Sequence, residues 1–250
     1  MGALSTTLSA CVNHCRNLLF PPACVFCRTP LATDSSICDS CAADIRIWPH
    51  HHCMHCGRVM PEHLSPGPCG SCLRRPPPQS VTHSLYLYRD GPVRNAILDW
   101  KLQGSDAGVL WLLDRATPRL NNIFDPQSLL LPVPMPLSRM RHAGRHHAAD
   151  LCRAISNRTG AAFDWQLLRR TGEQQRQSSL NGRARWKNLC KAFSVDSDHL
   201  PAIQQGDGIQ VWVVDDIMTT GATMHYACRT LRRAGITAGA FSLTRLAGRD

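Results

Sequence analysis

A chain of 250 residues with 43% hydrophobic residues, 17 glycines, 17 prolines and no low-complexity tract can build one full α/β domain and a small appendage, and is not a disordered polymer. No apolar run approaches the ~18–20 residues of a membrane helix, and the start MGALSTTLSACVNHC lacks the basic opening of a secretory signal, so a cytoplasmic protein without a membrane segment is expected. Thirteen cysteines in a reducing compartment then speak for metal ligation rather than disulfides.

In chain order, residues 1–20 carry Leu4, Leu8, Val12, Leu18 and Leu19 at helical spacing, a short amphipathic helix in which Cys11 and Cys15 are packing residues. Pro21-Pro22 ends it. From Cys24 to Cys72 the chain is rich in Cys, His, Pro and Gly and poor in aliphatics, so burial alone cannot fold it. The triplet Pro76-Pro77-Pro78 reads as a stiff connector. This divides the chain into 1–20, 21–78 and 79–250.

The segment 21–78 holds four CxxC pairs: Cys24 with Cys27, Cys38 with Cys41, Cys53 with Cys56, and Cys69 with Cys72. Two such knuckles can supply four sulfurs to one tetrahedral zinc, so eight cysteines imply two zinc ions. Pairing of neighbouring knuckles keeps the loops short, with crossed pairing the alternative. A site filled by four sulfurs has no open position for water, so both ions are structural. His55 could replace a cysteine as ligand, whereas His50, His51, His52 and His63 are expected to be exposed and unligated.

After the prolines, strands alternate with helices. Strands are predicted at 81–88, 129–133, 166–168, 209–214 and 238–243, and helices at 92–102, 107–116, 146–157 and 222–234. Such alternation predicts an α/β fold, a mostly parallel sheet flanked by helices, with ligands at the C-terminal strand ends.

The segment VWVVDDIMTTGAT at 211–223 is the strongest candidate site. A buried strand ends in Asp215 and Asp216, and Thr219, Thr220, Gly221, Ala222 and Thr223 lead into a helix. Gly221 allows a tight turn, successive N–H groups and the helix start face an anion, and three hydroxyls add donors. Two adjacent carboxylates repel each other unless something uses their charge, and a ribose 2′,3′-diol can donate to both. The plainer reading is helix capping by Thr219 or Thr220, which accounts for one hydroxyl only. The charge of +10 is concentrated at 139–191, where twelve Arg and Lys face only Asp150, Asp164 and Glu173. That stretch suits phosphates of a nucleotide precursor or a nucleic-acid backbone, or is a solvated basic face.

The segment 211–223 resembles the phosphoribosyl pyrophosphate loop of type I phosphoribosyltransferases, with Trp212 in place of the usual aliphatic residue. Nearly the whole chain is similar to the ComF (competence protein F) or GntX family, in which a double zinc ribbon precedes a phosphoribosyltransferase domain. The likeness is carried by residues 22–27, Cys69-Gly70-Ser71-Cys72 before Pro76-Pro77-Pro78, and Tyr88 with Gly91-Pro92-Val93. It continues through Lys101, Pro132-Val133-Pro134, residues 177–180, Arg183, Asn188, Ala192 and Phe193. The chain departs from it at Gly144-Arg145-His146-His147-Ala148, where the family has Arg-Gly-Phe-Asn-Gln; His146 and His147 are expected to face solvent at a helix start.

The resemblance implies binding of phosphoribosyl pyrophosphate or a nucleotide and, if the chain is an enzyme, displacement of pyrophosphate from ribose C1 with Mg²⁺ on the pyrophosphate. Asp215 and Asp216 would hold the diol, residues 219–223 the 5′-phosphate, and Lys101, Arg139 and Arg141 the leaving group, beneath a hood at 176–188. It also implies a part in DNA uptake or utilisation, with DNA-uptake proteins as partners. The alternative is a non-enzymatic protein holding single-stranded DNA through 139–191; a third reading is a zinc-ribbon interaction module on a degenerate transferase domain.

Overall fold

Val211, Trp212, Val213 and Val214 leave a strand no polar face, so it is stable only where both faces are covered. The computed structural model describes residues 21–32, 35–136, 140–141, 144–171, 192–199 and 208–247. Its elements are α1 (Asp39–Asp44), α2 (Gly70–Arg74), β1 (Thr82–Tyr88), α3 (Pro92–Leu98), α4 (Ala107–Ile123), β2 (Ser128–Pro132), α5 (His147–Thr159), β3 (Ala162–Phe163), β4 (Leu168–Arg170), β5 (Phe193–Val195), β6 (Gln210–Met218), α6 (Ala222–Arg233) and β7 (Ala238–Leu246). They form two compact units, one of residues 1–45 and 90–109, the other of 46–89 and 110–250.

The second unit holds a five-stranded sheet in the order β1-β7-β6-β2-β3 with every pairing parallel, and an antiparallel pair, β4 with β5. The fold is therefore α/β with a mostly parallel sheet and flanking helices. The predicted strand at 209–214 runs on to Met218, so Asp215 and Asp216 lie within β6 rather than after it. Pairing with Ser242 through Arg245 of β7 carries it that far. The short strand predicted at 166–168 begins two residues later, because Asp164 Oδ1 accepts from Gln166 and Leu167 N–H and holds them in a turn. The helix predicted at 92–102 is α-helical only to Leu98 and then widens into a π-helical turn, Asp99–Gln103, ending at Gly104 with φ 73°. Strands β3 and β5 were not predicted; two or three residues give no legible alternation. The helix at 1–20 and the hood at 176–188 lie outside the described residues.

Two apolar layers enclose β6. In one, Val211, Val213, Ala238 and Ala240 pack with Ala227, Cys228 and Leu231 of α6. In the other, Trp212 lies 5.3 Å from Phe124 and Phe124 lies 5.0 Å from Phe241, both edge to face. Such pairs contribute about 0.5–1.5 kcal/mol each beyond area burial. Trp212 fits because its register partner in β7 is Gly239. A Cβ there would come within 2.6 Å of Trp212 Cε3 and Cζ3. We therefore expect Gly239→Ala to destabilise the chain by about 1–3 kcal/mol through overpacking, and Gly239→Ala with Trp212→Leu to recover most of the loss in urea unfolding curves.

Candidate functional site

The eight CxxC cysteines form two clusters, Cys24, Cys27, Cys38 and Cys41 in the first unit and Cys53, Cys56, Cys69 and Cys72 in the second. Within each, the four sulfurs lie within 4.8 Å of one another. Four sulfurs at ~2.3 Å from a tetrahedral zinc stand about 3.8 Å apart. Cys27 and Cys38 are separated by 3.7 Å and Cys56 and Cys69 by 3.8 Å. The donor sets thus fit structural zinc. His55 is not among the ligands, since four sulfurs already complete the second cluster; its Nδ1 lies 2.7 Å from Ser80 O. His51 and His52 are half-buried, not exposed as expected, because this segment folds back on β1: Thr82 N–H donates to Met54 O, and His52 meets His83.

The first knuckle of each cluster has one design. Cys24 N–H donates to Thr29 O and Arg28 N–H to Cys24 O; likewise Cys53 N–H donates to Arg58 O and Gly57 N–H to Cys53 O. Each turn needs a left-handed residue after its second cysteine: Arg28 at φ 64° and Gly57 at φ 69°. Hydrogen bonds from the Thr29 hydroxyl and backbone bring the Cys27 thiol down to about 6. Burial opposes ionisation of Cys53, but N–H groups at Cys56 and Cys69 outweigh it and bring that thiol also to about 6. Burial and the neighbouring sulfurs push Cys41 and Cys72 up. Crowded thiols ionise together only around a cation, which is the role zinc takes here.

In the second unit, Asp215, Ile217, Met218, Thr219, Thr220, Gly221, Ala222, Thr223 and Met224 line one pocket. Gly221, at φ 75°, turns the chain from β6 into α6, and Thr220 Oγ1 accepts from Ala222 N–H at 3.4 Å. Thr219 and Thr220 are exposed and Thr223 is half-buried. Asp215 Oδ1 accepts from the Asp216 N–H at 3.0 Å. Because Asp215 and Asp216 are successive strand residues, their side chains leave opposite faces: Asp215 lines the pocket, whereas Asp216 is only 6% exposed. Thr244 Oγ1 donates to Asp216 O at 2.9 Å and holds the strand end in place.

Helix α5 packs beside β2 and β6. His147, expected in solvent, is 6% exposed, and His146 caps the helix by accepting from Ala149 N–H at 3.1 Å. Burial lowers the His146 pKa, against the pull of Asp150 and Asp216. Burial, and then the charge of Asp215, push the Cys152 thiol well above its ordinary value. Of the cations assigned to the leaving group, Lys101 lies in the π-helical turn of the first unit, Arg141 is exposed in the second, and Arg139 lies outside the described residues.

Comparison with known proteins adds to this geometry. Residues 15–73 match the model of the double zinc ribbon domain. Over 87% of this chain and 94% of its own length, the DNA utilization protein YhgH of Salmonella typhimurium is 29% identical. Competence protein F of Haemophilus influenzae is 26% identical over 85% of this chain and 92% of its own. Competence protein ComFC of Bacillus subtilis is 24% identical over 86% and 85%. The chain is a homologue of these DNA utilization and competence proteins. Among its described residues no helix is long and apolar enough to cross a membrane.

Purified protein is expected to contain about two zinc ions per chain by elemental analysis. Cys27→Ser and Cys53→Ser should each lower the content to about one, and a wild-type chain free of zinc would contradict the assignment.

Proposed function

We propose that this protein binds the ribose 5-phosphate group of phosphoribosyl pyrophosphate or a nucleotide at residues 215–223, in the service of DNA uptake or utilisation. The observation that carries this reading is the pocket in which one carboxylate, Asp215, and the Thr219–Thr223 turn converge at the C-terminal end of a central parallel strand. The helix start offers N–H groups and partial positive charge to a phosphate. Thr219, Thr220 and Thr223 add hydroxyl donors, and Gly221 lets the backbone approach closely. Asp215 accepts from ribose hydroxyls, while Asp216, buried behind it, adds negative potential that favours positive character at the sugar ring. Magnesium, bound with the pyrophosphate, would neutralise leaving-group charge if the homologue transfers the phosphoribosyl group. Arg139 and Arg141 would supply further positive charge there. The names of the relatives, a DNA utilization protein and two competence proteins, support the physiological part of the reading.

Isothermal titration with phosphoribosyl pyrophosphate and Mg²⁺ tests it. Asp215→Asn is expected to lose about 1.5–3 kcal/mol, roughly ten- to a hundredfold in Kd. Absence of binding by the unmodified protein would refute the proposal.

The same relatives favour a second reading, in which the basic stretch 139–191 holds single-stranded DNA. Four of its six described arginines are already engaged with carboxylates: Arg145 and Arg153 with Asp150, Arg158 with Asp114, and Arg169 with Asp196. Geometry thus supports the phosphate pocket more directly. If the stretch does hold DNA, oligonucleotide affinity must fall steeply with salt, by a log–log slope of about −0.7 for each phosphate neutralised. Salt-independent affinity in fluorescence anisotropy would count against it.

A further inference from the structure

The two knuckles share a backbone design, yet the left-handed position is Arg28 in one and Gly57 in the other. What lies over them differs. Arg28 reaches Asp99, with Nη2 to Oδ2 at 3.1 Å. Over Gly57 lies Arg245 from the C-terminal end of β7, and a Cβ on Gly57 would run into its Nη1. Arg245 is 9% exposed and stands 5.3 Å from the Trp48 ring. Trp48 in turn donates from Nε1 to Gly57 O at 3.2 Å. Arg245 has no carboxylate partner among the described residues, and its Nη1 is buried without a hydrogen-bond acceptor.

A guanidinium buried this far from water needs a compensating negative charge. The cluster that follows from the same turn supplies one, because zinc held by four thiolates carries a net double negative charge. We propose that Arg245 is the counter-cation of the second zinc centre: a positioning residue whose buried charge offsets that of the tetrathiolate site and ties the second ribbon to the last strand of the sheet. Burial pushes the Arg245 guanidinium down, and Cys56 and Cys53 act against that pressure while Arg58 adds to it. The backbone closes the same joint, with Thr82 Oγ1 donating to His55 O at 2.6 Å and Trp48 N–H donating to Leu85 O at 2.8 Å. Glycine at position 57 follows, since any larger residue would displace the guanidinium.

Zinc release from the full-length protein to a chromophoric chelator tests this. The phase that survives in Cys27→Ser is assigned to the second centre. Arg245→Met is expected to speed that phase by about tenfold or more, as loss of outer-shell partners does elsewhere, and to leave the other phase unchanged. Arg245→Lys, which keeps the charge, should release zinc close to the wild-type rate. If Arg245→Met does not fold, Arg245→Gln against Arg245→Lys gives the same comparison. Unchanged release in the neutral variant, equal acceleration of both phases, or a lysine variant as fast as the neutral one would each overturn the proposal.

Discussion

Everything in the second unit depends on the parallel pairing of β6 with β7 on one side and β2 on the other. A parallel strand satisfies its backbone through its neighbours and must hide both faces, so Val211, Val213 and Val214 demand helices that only the rest of the chain can provide. The same pairing continues past the valines to Met218. It thereby extends a rigid platform under Asp215 and Asp216. The pocket stands where the strand ends and Gly221 turns the backbone, with one carboxylate turned toward it and one turned away.

Metal does for the ribbons what burial does for the sheet. Among the described residues between Cys24 and Cys72, few side chains are buried, chiefly Cys24, Cys41, Cys53 and Cys72 with Phe26, Trp48 and Met60. Tetrathiolate binding supplies the missing cohesion. The two centres nonetheless sit in different surroundings. The first belongs to the unit containing α3, whereas the second is hydrogen-bonded through Met54 and His55 to the start of β1. A ribbon attached to a sheet strand shares that strand's stability. Loss of its metal would be felt in the sheet.

Much of the fold was legible because period and spacing are local properties. The CxxC pairs predicted two tetrahedral sites, and the alternation of apolar runs predicted a parallel sheet. Errors fell where neighbours decide. The end of β6 moved to Met218 because β7 continues beside it, and β3 and β5 are too short to show a period. His147 is buried because α5 packs beside β2 and β6, which no pattern within residues 146–157 reveals.

By itself the sequence determined which atoms could do chemistry: eight thiols at knuckle spacing, and two carboxylates, three hydroxyls and a glycine beyond a valine-rich strand. These follow from residue identity and separation along the chain. Only the tertiary structure decided their partners. It grouped neighbouring knuckles by distance, and it set Asp215 and Asp216 on opposite faces because they belong to a strand. It also placed Arg245 against Gly57, 188 positions away in the chain, because β7 ends where the second ribbon begins to pack. Contacts of that range depend on how strands are ordered in a sheet, and strand order is not written in any local segment.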